Sequence, residues 1–178
     1  MRLYLPILIL FSAYYPATGQ RTIPKTDTIH IANPGNPLDP FFLNRDSTLA
    51  EKVVAFAQSL SGTPYRFGCS APDVGFDCSG FINYVFNHFG ITVPRSSVDF
   101  TNEGIPVDIE QSMPGDLILF TGTNNKIRIV GHIGIIVSND NTGISFIHSS
   151  SGSDYKVITT KLGDYYKGRF VKVIRMGW

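Results

Sequence analysis

At 178 residues, with 43% hydrophobic and 12% aromatic side chains, the chain has the make-up of one folded domain that can bury its own core. Lys and Arg number 15 against 14 Asp and Glu. That balance gives no electrostatic basis for nucleic acid or an anionic membrane surface as partner.

The chain opens with Arg2, a mostly apolar run from Leu3 to Tyr15, and small residues at Ala17 and Gly19. This order predicts an export signal over residues 1–19, cleaved after Gly19. Pro6, Ser12 and Pro16 interrupt a run already shorter than the roughly 20 residues of a membrane span, so no integral span is expected after processing. With no cysteine before Cys69, lipid attachment near the signal is not expected either. The expected destination is the periplasm or the extracellular space. Residues 20–46, rich in Pro, Asn, Asp and Thr, read as a linker or arm, and residues 47–178 as the folded domain.

A helix is predicted from Ser47 or Thr48, where Thr48 and Glu51 have capping-box spacing and Leu49, Val53, Phe56 and Leu60 follow at helical intervals. Gly62 and Pro64 should end it. A second helix should open at Asp77-Cys78-Ser79-Gly80 and run to His88 or Phe89, burying Phe81, Ile82, Val85, Phe86 and Phe89 before Gly90 stops it. A short helical or irregular stretch follows Pro94. After Pro114-Gly115-Asp116 the pattern turns to strands, at Leu117–Thr121, Ile127–Val137, Ile144–Ser149, Lys156–Thr160 and Phe170–Arg175. Helices first and strands afterwards predict an α+β domain with an antiparallel sheet.

Asp77 suits the N-cap, which places Cys78 at the first helical position. There the helix dipole, with a histidine cation nearby, can lower a thiol from about 8.5 to roughly 3.5–7.5, so a reactive thiolate is expected. Gly80 inside the helix costs roughly 1 kcal/mol relative to alanine, which close approach of another element would explain. Two readings compete for the cysteines: a nucleophile at Cys78, or a Cys69–Cys78 disulfide in an oxidising compartment.

Between Ile127 and Val137 the apolar residues 127, 129, 133, 135 and 137 should form one buried face, with His132 on the other between Gly131 and Gly134. The turn-rich Ser138–Gly143 segment predicts a hairpin. If Asp140 sits at its centre, His132 lies directly opposite His148, and Ile133 opposite Ile147. One imidazole could then exchange a proton while the other fixes its tautomer. A one-residue slip would separate them. His30 and His88 are assigned ordinary structural roles.

These residues fall into motifs: Gly62-Thr63-Pro64-Tyr65-Arg66-Phe67-Gly68, Phe76-Asp77-Cys78-Ser79-Gly80-Phe81, Pro94-Arg95-Ser96, Pro114-Gly115-Asp116-Leu117, Gly131-His132-Ile133-Gly134-Ile135 and Phe146-Ile147-His148. In that order, from about Leu49 to the C-terminus, the chain resembles the NlpC/P60 cysteine peptidases, papain-like hydrolases of peptidoglycan stem peptides. The resemblance implies Cys78 as nucleophile, His132 as general base and then acid, and His148 as the residue that orients it. It also implies Tyr65 near the oxyanion site, Asp77 and Ser79 flanking the nucleophile towards substrate, and the Cys78 N–H as oxyanion donor. No cofactor is implied. Peptidoglycan stem peptides are the expected partner of a monomeric enzyme, cut between D-glutamate and the diamino acid or, in some members, at D-alanyl cross-links.

Where many members carry a second glycine after Tyr-Arg-Phe-Gly, this chain has Cys69, and both thiols are expected to be free in the active protein. No wall-binding domain fits in residues 20–46. A Cys78/His132/His148 metal site, a binding module without turnover, and a related amidase or acyltransferase are the competing readings; metal-site spacing is absent from the sequence.

Overall fold

The computed structural model describes residues 47–177. The expected signal, the arm and His30 lie outside the described residues. So does the Thr48 side chain of the expected capping box.

Helix α1 (Ser47–Ser59) and helix α2 (Cys78–His88) pack together, and between them a two-stranded ribbon pairs β1 (Ser70–Ala71) with β2 (Gly75–Phe76). Two short 3-10 turns, at 97–102 and 109–111, flank strand β3 (Ile105–Val107). Then come β4 (Leu117–Thr121), β5 (Val130–Asp140), β6 (Gly143–Ser149), β7 (Val157–Lys161), the one-turn helix α3 (Asp164–Lys167) and β8 (Phe170–Arg175). The large sheet is antiparallel throughout its pairs, in the order β3-β8-β4-β5-β6-β7. This is the expected α+β architecture. The ribbon, β3 and α3 are too short to carry a readable period and were not foreseen.

Both faces of the sheet are covered, which is why all five residues of β4 are buried. Alternation divides them: Leu117 and Leu119 join Ile133, Ile135 and Ile147 against Phe81, Val85 and Phe86 of α2. Ile118 and Phe120 join Ile136, Phe146 and Val173 in a second, smaller cluster beneath Phe170 and Tyr166. His88 stacks on Phe56 with ring centroids 3.8 Å apart, the structural role assigned to it.

Strand β5 departs from its expected bounds. Ile127 and Ile129 are exposed and precede the strand, so the odd-numbered buried face begins only at Ile133. The hairpin register differs too. Asp140 pairs with Gly143, so the turn centres on Asn141 and Thr142 rather than on Asp140, and Val137 is an extra residue between the Ile136–Phe146 and Ser138–Ser145 pairs. Ile135 therefore stands opposite Ile147, and extending that register past the last pair sets Gly134, not His132, beside His148, whose Cβ lies 3.3 Å from a would-be Gly134 Cβ.

Candidate active site

Asp77 caps α2 as expected, with extended backbone and its Oδ1 accepting the Gly80 N–H at 2.6 Å. Its carboxylate also accepts the Gly68 N–H at 2.8 Å and both Arg95 terminal nitrogens, at 2.9 and 2.8 Å. The Ser79 hydroxyl donates to Asp77 at 3.3 Å and accepts from Arg95 at 3.2 Å. Asp77 and Ser79, expected to face substrate, are thus largely committed to one another and to Arg95, a motif residue given no role from sequence. A charge buried this deeply needs such a cradle.

The Gly80 expectation is met by Cys69. Its carbonyl accepts the Asp77 N–H at 3.0 Å and lies 2.1 Å from where a Cβ on Gly80 would sit. Cys69 and Cys78 are both free thiols.

Cys78 enters where the sheet opens. The β5–β6 ladder runs only as far as Ile135–Ile147. Beyond it, the Cys78 thiol points to the Gly131 carbonyl at 4.0 Å. Gly131 is the bulged residue between the Phe120–His132 and Thr121–Val130 pairs, and Gly122 closes on it, 2.8 Å from a would-be Cβ. The bulge aims His132, and its glycine makes room for the neighbouring strand end.

The thiol is not the thiolate expected from a helix start. Burial, and then the Asp77 carboxylate, push it up to about 11, against the pull of the Ser79, Cys78 and Ile133 N–H groups. The cation that was to assist is missing as well. Burial first, then His148 and Arg169, hold His132 well below the usual imidazole range. The resting pair is therefore a thiol and a neutral imidazole.

His132 and His148 do meet, diagonally rather than directly opposed. His132 Nε2 is 2.8 Å from His148 Nδ1, with perpendicular rings, and His148 Nε2 is 3.0 Å from the Thr160 hydroxyl. The space beside the pair is filled: a Cβ on Gly134 would lie 2.7 Å from the Phe146 ring and 3.3 Å from His148 Cβ. Burial and Arg169 bring His148 down to about 4. Thr160 and Arg169 lie outside the sequence motifs, so nothing in the sequence marked them. Tyr65 is partly buried against the Tyr155 ring, 5.1 Å away, and burial followed by the nearby Cys78 and Asp77 push its hydroxyl up. Among the described residues no group of three His, Cys, Asp or Glu side chains is placed to hold a metal ion, and no helix is long and apolar enough to cross a membrane.

Comparison with known proteins agrees with the motif order. Residues 62–175 match the model of the NlpC/P60 family. The bifunctional muramidase/DL-endopeptidase CwlT of Bacillus subtilis is 35% identical over 105 residues, 59% of this chain and 31% of that protein. A gamma-DL-glutamyl hydrolase of the same organism is 29% identical over 129 residues, 72% of this chain and 30% of its own length. The chain thus spans about a third of these curated relatives. The peptidoglycan hydrolase RipB of Mycobacterium tuberculosis superposes with a TM-score of 0.58 at 26% identity, covering 73% of this chain and 65% of that one. The chain belongs to the NlpC/P60 family and has its α+β, papain-like fold.

Proposed function

We propose that this chain is an exported, monomeric cysteine peptidase that hydrolyses peptidoglycan stem peptides at the amide between D-γ-glutamate and the diamino acid. The observation that carries this is the relay of Thr160, His148 and His132 ending beside the bulge on which the Cys78 thiol rests. The names of the relatives, a DL-endopeptidase and a gamma-DL-glutamyl hydrolase, favour this bond over a D-alanyl cross-link.

The geometry supports one assignment of protons. With Nε2 of His132 committed to His148, Nδ1 is the atom open to the thiol. His148 Nδ1 then accepts the His132 Nε2–H, and its own Nε2–H donates to Thr160. As Sγ attacks the amide carbon, the thiol proton passes to His132 Nδ1 and the carbonyl oxygen gathers negative charge against the Cys78 N–H. The imidazolium returns that proton to the leaving amine, giving an acyl-enzyme. Water then attacks, with His132 again as base, releasing the acid and the thiol.

The processed protein incubated with muropeptides should release products that mass spectrometry assigns to cleavage between D-glutamate and the diamino acid. Cys78→Ala should release none, and a chelator should leave the digestion unchanged. Products from Cys78→Ala, or cleavage at D-alanyl bonds only, would contradict the assignment.

A further inference from the structure

Arg169 is a buried guanidinium that neither the relay nor the nucleophile uses directly. It is 7% exposed and donates to the Gly122 carbonyl at 3.1 Å, the Thr121 carbonyl at 2.8 Å and the Tyr165 hydroxyl at 2.8 Å. Its guanidinium carbon lies 5.0 and 5.6 Å from the Tyr165 and Tyr166 ring centroids. Three of its five N–H groups are used, leaving one on each terminal nitrogen, and none of the described carboxylates pairs with it. A buried cation held only by neutral groups keeps most of its charge for a ligand.

Arg169 lines a cavity of about 400 Å³, and so does His132. Cys78, Tyr65, Asp77 and Ser79 do not. On the proposed mechanism, on which this inference rests, His132 delivers the proton to the departing amine. A cavity that touches the base but not the nucleophile or its flanking residues therefore belongs to the amine side of the cut bond. Exposed Asp154 and buried Ser150 line the same cavity.

We propose that this cavity receives the side chain of the amine-side residue and selects one ending in an amino-acid group, with ammonium and carboxylate on one carbon. Arg169 takes the carboxylate in a two-bond pair and Asp154 the ammonium. Meso-diaminopimelate has such an end; lysine offers only the ammonium. A site built to pair a charge rejects the analogue lacking it, because its own buried partner is then left alone.

The test uses the processed protein and three tetrapeptides of sequence L-Ala-γ-D-Glu-X-D-Ala, with X as meso-diaminopimelate, its side-chain carboxamide, or L-lysine. The diaminopimelate peptide should exceed each of the others in kcat/KM by roughly tenfold or more. In Arg169→Gln the carboxylate-to-carboxamide ratio should fall to near one, and Asp154→Asn should lower kcat/KM for the diaminopimelate peptide. Equal kcat/KM on all three peptides would overturn the subsite while leaving the peptidase reading intact; cleavage of none would overturn both. A folded Arg169→Gln that keeps the wild-type ratio would also overturn it. Should that variant not fold, the wild-type carboxylate-to-carboxamide ratio decides alone.

Discussion

His132 Nε2 stands 2.8 Å from His148 Nδ1 with the two ring planes at right angles, so one ring's edge meets the other's nitrogen. The contact spends the only atom of His132 that could compete with Nδ1 for the thiol. His148 in turn is fixed by Thr160 and rests beside the Phe146 ring, 4.9 Å away. On the proposed assignment of protons, these contacts hold the base in one orientation.

If that relay orients the base, its outer members act on turnover more than on binding. His148→Ala should lower kcat by roughly a hundredfold and Thr160→Val by about tenfold, with KM little changed, since only the proton-transfer geometry is disturbed. Steady-state kinetics on a diaminopimelate tetrapeptide measure both. A rise in KM with kcat intact would assign His148 to substrate binding instead.

Gly80→Ala tests the seam between Cys69 and the helix start. Intrinsic propensity favours alanine by about 1 kcal/mol, whereas the new Cβ would stand 2.1 Å from a backbone carbonyl that is itself bonded to Asp77. The clash should win, with a net loss of about 2 kcal/mol by urea denaturation. Unchanged or increased stability would show that the seam yields freely.

A thiol near 11 beside a neutral imidazole has a distinct alkylation profile. The rate of iodoacetamide reaction at Cys78, followed by mass spectrometry in a Cys69→Ala background, should climb about tenfold per pH unit between pH 7 and 9.5, tracking the thiolate fraction. A thiolate–imidazolium pair would instead give a plateau from pH 5 to 8, and such a plateau would refute the neutral resting state.

Both relay histidines are held below their ordinary range, His148 to about 4. In the unfolded chain they take up protons near pH 6.5, while the folded chain does not until far lower. Folding stability from this source is present above pH 6.5 and is lost as pH falls towards 4, by about 1.4 kcal/mol per pH unit for each group. The drop in Tm between pH 7 and pH 5 should be smaller in His148→Asn, because one of the two titrations is gone; an equal drop would mean that other groups govern acid stability.

Helix α2 could be read from sequence because Asp77, the phenylalanine stripe and Gly90 all mark the same element, and its bounds came out as expected. Strands β4 and β8 likewise keep their expected limits. The register could not be read, because bulges leave no compositional mark. The turn at Asn141-Thr142 alone would place His148 opposite Ile135, on the wrong face, and the extra residue at Val137 restores the parity that joins the two histidines. Their meeting was anticipated correctly and for an incomplete reason. The thiol expectation failed because a helix start was weighed without the burial that accompanies it. Arg95, Thr160 and Arg169 reach the site from other elements, and contacts so distant in the chain have no local pattern.

The protonated state of Cys78 also bears on how long the protein survives. Oxidation to sulfenic acid and beyond proceeds through the thiolate, so a sulfur that keeps its proton at rest is a poor target for peroxide. The same burial that forgoes a ready-made nucleophile preserves it between turnovers, and in the exported enzyme proposed above no cytosolic reductant would be at hand to repair it.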